Sequence, residues 1–276
     1  MKRRKNIVSR AVMQLLFIML VFSIIFMFYY MITNSFKSKI EYAQSQYSLF
    51  SRINIDNYIK AWFYDGIGLA LWNTFILSAG TAGVTLLVGS LAAYALGILR
   101  FRRNRLFLRG VVALMYVAPM GLIIPLFVWM GRLGLVDNLY VMVAIYSGLY
   151  TPFSIFMLRT YFNAVSNNII DACRIDGCSE LRILFETVIP LSRAGLLLLA
   201  VFNFYYVWSN LLFSLIFLRS PANTTLMVAI GQYSGRYVSE VPTRMASLVV
   251  ATLPLVVMFL FVRKHFVRGA TMGSFR

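Results

Sequence analysis

Asp171-Ala172-Cys173-Arg174-Ile175-Asp176-Gly177, followed thirteen positions after the glycine by Pro190 at the end of Thr187-Val188-Ile189-Pro190, decides how the rest of the chain is read. Membrane-length apolar runs flank this stretch. It is the one long charged insert on the side where most arginine and lysine lie. Its spacing predicts two short amphipathic helices. Val165, Ile169, Ala172 and Cys173 share a face of the first; Leu181, Leu184, Phe185 and Val188 stand at i, i+3, i+4 and i+7 on the second. Gly177 falls where a left-handed residue would end the first helix and turn the chain, and Ser179 can cap the second. Two such helices could rest on lipid. Asp171, Asp176, Glu180 and Glu186 suit a protein partner better than an anionic headgroup layer, so the insert reads as a docking segment.

Working outward, the composition is that of a membrane protein. Hydrophobic residues make up 60% of the 276 and charged residues 13%, against about half and a quarter in soluble domains. The apolar residues come in runs near the length of roughly 20 that a helix needs to cross a bilayer. Six are read: 11–33, 69–99, 110–130, 138–160, 194–218 and 245–262. Apart from Arg159 at one edge they hold no Asp, Glu, Lys, Arg or His. That argues against a proton- or sodium-driven carrier. It also argues against an intramembrane enzyme, which would place acid, base or nucleophile pairs at membrane depth.

The net charge of +17 could suggest nucleic acid, but its placement excludes that partner. Segments 2–10, 100–109, 159–193 and 263–276 hold 18 of the 26 Lys and Arg; segments 34–68, 131–137 and 219–244 hold the other 8. The two sets alternate across six spans as the positive-inside rule requires. Both termini are therefore expected in the cytoplasm, with anionic lipid as neighbour to the basic segments. Lys2-Arg3-Arg4-Lys5 precedes an apolar run too long for a signal peptide, and no small-x-small cleavage site follows it, so the run reads as an uncleaved first helix.

Several smaller signals fill in the plan. No internal repeat or low-complexity tract is present, and residues 1–276 read as a single transmembrane domain. In segment 34–68, Asp56 could cap a short helix carrying Tyr58, Ile59, Trp62 and Phe63, either as an interfacial anchor or as a partner contact. Gly80, Gly83, Gly89, Ala92 and Ala93 would let the second span approach its neighbours closely. Pro119, Pro125, Pro152 and Pro254 are expected to bend or interrupt their helices. Cys173 and Cys178, with the lone His265 far off in sequence, read as small apolar fillers rather than metal ligands.

The insert resembles the cytoplasmic loop of ATP-binding cassette importer permeases, whose pattern is E-A-A, three residues, G, nine residues, then I-x-L-P. Asp171, Ala172 and Cys173 stand at E-A-A, Gly177 is in register, and Thr187 to Pro190 stand at I-x-L-P. The resemblance extends along the chain to the maltose-type carbohydrate uptake family. Asn34-Ser35-Phe36-Lys37 is similar to its first-span exit, and Ala92-Ala93-Tyr94-Ala95-Leu96 with Arg100-Phe101 to its second-span ending. Gly131 to Leu135 with Asp137 is similar to its short outward turn. Gly269, Thr271 and Gly273 in the tail mark the second, shorter permease of the pair, although Arg276 stands where that family has lysine. Trp208-Ser209-Asn210 departs from the family's Trp-Asn-acid.

The resemblance implies a type I ABC importer permease fold: an all-α membrane protein with six transmembrane helices, both ends cytoplasmic. The coupling loop would be about 161–193, with Asp171, Ala172, Cys173, Asp176, Gly177 and Pro190 as its marker residues, and the cytoplasmic tail 263–276. It implies a bacterial or archaeal plasma membrane, a second permease subunit as heterodimer partner, two ATPase subunits and an extracytoplasmic solute-binding protein. The chain has no G-x-x-x-x-G-K-[ST] loop to cradle phosphates, so it is expected to be non-catalytic and without a cofactor, ATP and Mg being bound by the partner ATPases. An oligosaccharide would be met by aromatic faces and amides; Tyr146, Tyr150, Asn203, Tyr205, Tyr206, Trp208 and Asn210 are candidates. A non-sugar solute carried by the same architecture, and a structural scaffold, are the competing readings.

Overall fold

In hydrocarbon no water is available to backbone amides, so an apolar chain must satisfy them itself. The computed structural model does so with helices. It describes the backbone of residues 2–99, 101–236 and 240–272, and side chains over 10–263 apart from 11, 100 and 233–239; no strand occurs among the described residues. In chain order the helices are α1 (Lys2–Ser35), α2 (Lys39–Gln44), α3 (Asp56–Ile59), α4 (Ile67–Tyr94), α5 (Asn104–Met115), α6 (Ile123–Arg132), α7 (Leu139–Phe162), α8 (Asn167–Ile175), α9 (Glu180–Ile183), α10 (Ile189–Leu191), α11 (Arg193–Trp208), α12 (Leu212–Phe217), α13 (Leu226–Arg236) and α14 (Val241–Met272). Widened π turns follow α3, α4 and α9, at Lys60–Tyr64, Ala95–Leu99 and Leu184–Val188.

Four helical stretches are each long and apolar enough to cross a membrane: Val12–Ser35, Ile67–Leu99, Leu139–Phe162 and Val241–Arg263. Two further candidates are bent. Asn104–Met115 meets Pro119–Arg132 at 85°, and Glu180–Leu191 meets Arg193–Trp208 at 82°. The third run is therefore not the continuous helix expected over 110–130, and the fifth, expected over 194–218, is divided between α11 and α12. The reasons are local. Pro119 drives Ala118 into an extended conformation (ψ 120°) and ends α5's path. In the fifth run α11 stops at Trp208, and Asn210 Oδ1 then accepts from Phe213 N (3.1 Å) to start α12. Pro125, Pro152 and Pro254 break nothing. Pro125 lies in the first turn of α6, where its missing N–H costs least. Around Pro152 the hydroxyls of Thr151 and Ser154 bond carbonyls a turn back, and Thr252 does the same beside Pro254.

The contacts divide the chain into two compact units, 1–68 with 229–253 and 69–228 with 254–276. In the first, the residues similar to a first-span exit form a buried knot. Lys37 is fully buried and donates to the carbonyls of Ser45 (3.0 Å) and Gln46 (3.2 Å); desolvation pushes its pKa below the ordinary lysine value. Asn57 Nδ2 donates to the carbonyls of Ser35 and Lys37, and the Ser35 and Tyr58 hydroxyls share a bond of 2.7 Å. Glu240 accepts from both Lys39 and Lys60. Asp56 does not cap α3. Its own N–H is taken by Asn54 Oδ1 (2.8 Å), two positions earlier than the sequence suggested. Trp62 and Phe63 stay exposed, as an interfacial anchor would.

In the second unit close helix approach is made by glycine. A Cβ at Gly80 would lie 3.2 Å from Val143, and one at Gly89 3.3 Å from Ser154, so α4 and α7 meet there; Gly83 faces open space. The tightest approach is one the sequence did not single out. A Cβ at Gly195 would fall 2.4 Å from the Tyr161 ring. Gly195→Ala should therefore destabilise the chain by about 1–3 kcal/mol through overpacking, while Gly83→Ala should be nearly neutral. Thermal unfolding of the two variants in detergent checks this; equal melting temperatures would contradict it.

Candidate functional site

The apolar faces of the 161–193 segment are not all spent on its own folding. Ile170 of α8, and Ile183, Leu184 and Val188 beyond the turn, are buried in one cluster with Ala93 and Tyr94 of α4, Leu158 and Phe162 of α7 and Leu199 of α11. Burying aliphatic side chains of this size stabilises the seat by about 1.5–3 kcal/mol each. Val165, Cys173 and Cys178 pack against it, the two cysteines as free thiols. The faces expected from the sequence are thus met in part, by Val165, Cys173, Leu184 and Val188. Ile169, Leu181 and Phe185 are exposed, as is Ala172. A π turn spans Leu184–Val188, and both of its end residues are buried. Pro190 sits just behind this turn, with no N–H to give to the carbonyl a turn back.

Gly177 does what its place predicted. Its φ is +79°, and it closes α8 with the paired bonds of a Schellman turn: Cys178 N to Cys173 O (3.0 Å) and Gly177 N to Arg174 O (3.1 Å). Ser179 Oγ then accepts from Arg182 N (3.4 Å) at the start of α9.

A polar clasp joins this turn to α4. Glu180 accepts from Arg174 Nε (2.8 Å) and Nη2 (3.3 Å), and from the buried Tyr94 hydroxyl; Arg174 Nη1 also reaches Asp171 Oδ1 (3.1 Å). Thus α8, α9 and the end of α4 meet on one carboxylate. The Arg174 guanidinium holds the Glu180 carboxyl below the ordinary carboxylate range despite partial burial, with the Tyr94 bond adding to it. Arg182 pairs with Glu186 (2.8 Å). Three of the four acids read as partner-facing are therefore already paired within the loop. Among the described residues Asp176 is in no ion pair. The loop also leaves large apolar side chains open: Ile169, Ile175, Leu181, Phe185 and Leu191 are all exposed.

The candidate pathway residues separate by burial. Tyr146 and Trp208 are fully buried, Tyr146 within 3.4 Å of Ser214 Oγ and Trp208 stacked on Phe204. Asn203 is buried too, donating to Thr85 Oγ1 (3.0 Å) and Ser154 Oγ (3.1 Å), a bond set that ties α11 to α4 and α7. Asn210 caps α12. Tyr205 and Tyr206 are exposed and Tyr150 half-buried, and their rings form a continuous wall: Tyr150 to Tyr206 5.8 Å, Tyr205 to Tyr206 6.0 Å, with Phe202 behind at 4.3 Å from Tyr206. The sequence reading missed a buried hydroxyl row on α4, Thr74, Ser78, Thr81 and Thr85. Its i, i+4, i+7, i+11 spacing was visible in the chain. Of the tail residues, Gly273 lies outside the described residues, and only the backbone of Gly269 and Thr271 is described, within α14.

Apolar helices, two of them broken, with a charged glycine-turned loop clamped on their ends, define the membrane subunit of a transporter. The profile for "Binding-protein-dependent transport system inner membrane component" matches residues 85–271, more than half of the chain, and the chain belongs to that family. It is similar to the melibiose/raffinose/stachyose import permease MelC of Bacillus subtilis, 27% identical over 90% of each chain. It is also similar to the sulfoquinovosyl glycerol transport system permease SmoH of Agrobacterium fabrum, 30% identical over 80% of this chain and 77% of that one. Its fold matches a chain of a bacterial ABC transporter involved in alginate import, with a TM-score of 0.83 at 22% identity over 95% and 98% of the two chains. The fold is that of a type I ABC importer permease.

Limited proteolysis of the folded chain should report the turn and the clasp. Gly177→Val forces a branched side chain into a left-handed site at about 1–2 kcal/mol, so cleavage within 161–193 should rise roughly tenfold. Tyr94→Phe removes one charge-assisted bond of the order of 1 kcal/mol at a half-exposed carboxylate, giving about a fivefold rise. Unchanged cleavage in both variants would contradict the clamped loop.

The pH response follows from the sign of the shift. A carboxyl with a depressed folded pKa contributes stability above its ordinary value near 4.3 and loses it as pH falls through the folded value. Proteolytic protection should therefore be flat between about pH 5 and pH 8 and fall only in stronger acid. A loss of protection near pH 6 would contradict the assignment of Glu180.

Proposed function

We propose that this chain is the shorter permease of a heterodimeric pair in an ATP-driven, binding-protein-dependent importer of an oligosaccharide or related carbohydrate. The observation that carries the reading is the 161–193 loop: a rigid turn, seated on three spans, with an exposed apolar edge for another protein to grip. Two ATPase subunits, each with its own ATP and Mg, would close on nucleotide and pull on this loop and its counterpart in the second permease. A packed element moves as a unit, so the pull passes into α4, α7 and α11 and switches a central cavity between the two sides of the membrane. The chain itself performs no chemistry in this scheme. A solute-binding protein delivers the substrate from outside the bacterial or archaeal cell, and both termini lie in the cytoplasm.

Carbohydrate is favoured over other solutes by the aromatic wall of Tyr150, Tyr205 and Tyr206, whose flat faces suit sugar rings, and by the carbohydrate names of the relatives. Substrate would meet these three rather than Tyr146, Asn203 or Trp208, which are occupied in packing.

Two experiments test the proposal. Labels near residues 50 and 230 should report outside, and labels near 105 and 180 inside; reversed labelling at any of them would sink the topology. The transporter assembled with its partner subunits should take up oligosaccharides only with ATP. Tyr206→Ala should raise the half-saturating concentration about fivefold, as expected for losing one ring contact near 1 kcal/mol. ATP hydrolysis by the isolated chain, or uptake of amino acids but no sugar, would refute the reading.

A further inference from the structure

Beside the seat of the loop lies a second feature that the transport scheme does not use. A polar cavity of about 730 Å³ opens between the end of α4, the start of α5 and the end of α7, lined among others by Arg102, Arg105, Arg159, Asn104, Asn163 and Asn167. None of the chain's nine carboxylates lines it. Arg102 and Arg105 have no ion pair or hydrogen bond among the described residues. Arg159 is fixed through Nε on the Leu96 carbonyl (3.2 Å), which leaves its two terminal amines to the cavity. Asn104, the first residue of the twelve-residue α5, holds the same carbonyl through Nδ2 (2.7 Å), and α5 has no acidic residue in its first turn. Three uncompensated guanidinium groups and a helix N-terminus thus converge on one hollow. Such a hollow favours an anion that several planar donors can grip at once.

We propose that this cavity binds a phosphate-type anion, either an anionic phospholipid headgroup or free phosphate. The site does not depend on which solute the transporter carries.

The test uses the delipidated full chain in detergent, with phosphatidylglycerol, phosphatidylcholine and inorganic phosphate as probes and native mass spectrometry as the readout. The wild-type chain should retain phosphatidylglycerol about tenfold better than phosphatidylcholine, and Arg102→Gln with Arg105→Gln should abolish that preference. Arg102→Lys with Arg105→Lys should keep most of it, since the charge is retained. Arg103→Gln with Arg109→Gln, which removes two exposed charges outside the cavity, should leave it unchanged. Displacement of the lipid by millimolar phosphate, in the wild type only, would identify free phosphate as the ligand. Retention of phosphatidylglycerol in its presence would identify the headgroup. Equal binding of all probes by the wild type and the double glutamine variant would overturn the proposal.

Discussion

One carboxylate, Glu180, holds the functional end of this molecule together. It takes hydrogen bonds from Arg174 on α8 and Tyr94 on α4 while itself opening α9. Each bond at a partly exposed group is modest in energy. Their value lies in geometry, because they fix the turn at Gly177 against a membrane-length helix. The buried cluster of Ile170, Ile183, Leu184 and Val188 beneath adds the non-directional part of the same attachment. The apolar cluster holds the loop against the spans, and the clasp fixes its orientation there.

Lipid imposes the second constraint. Apolar burial drives little association between helices already in hydrocarbon, so contact depends on small residues and on polar groups shared between helices. The glycines at 80, 89 and 195 and the Asn203 bonds to Thr85 and Ser154 meet that requirement. The breaks at Ala118–Pro119 and Ser209–Asn210 interrupt two of the apolar runs. An aromatic wall made of Tyr150, Tyr205 and Tyr206 begins close to the second break.

Much of this was legible in the chain because its signals are local. A glycine that must be left-handed, a serine cap and a run of apolar residues each declare themselves within a few positions, and Gly177, Ser179 and four of the six apolar runs appear as expected. The apolar face of the loop was only half legible: Leu184 and Val188 are buried as read, but Ile170 and Ile183 take the places expected for Ile169 and Leu181. Tertiary pairing was harder to read. The four acids of the loop looked available to a partner, yet Asp171 and Glu186 pair with Arg174 and Arg182 at i,i+3 and i,i+4, a spacing the sequence displays, and Glu180 is matched by Arg174 across the Gly177 turn. Asn203 and Trp208 looked like ligand contacts, and only packing reveals them as buried. Conversely, the close pass of Gly195 over Tyr161 depends on which helix lies opposite.

The most direct measurement of the central claim is a spin-label distance within the assembled transporter, taken between the end of α4 and the α8–α9 turn, in the resting state and trapped with ATP. If the clasp makes loop and span one rigid body, that distance stays constant to within about 2 Å while distances from the loop to the second permease change. A change within the chain as large as the change between subunits would show that the loop moves on its own, and rigid coupling through Glu180 would be wrong.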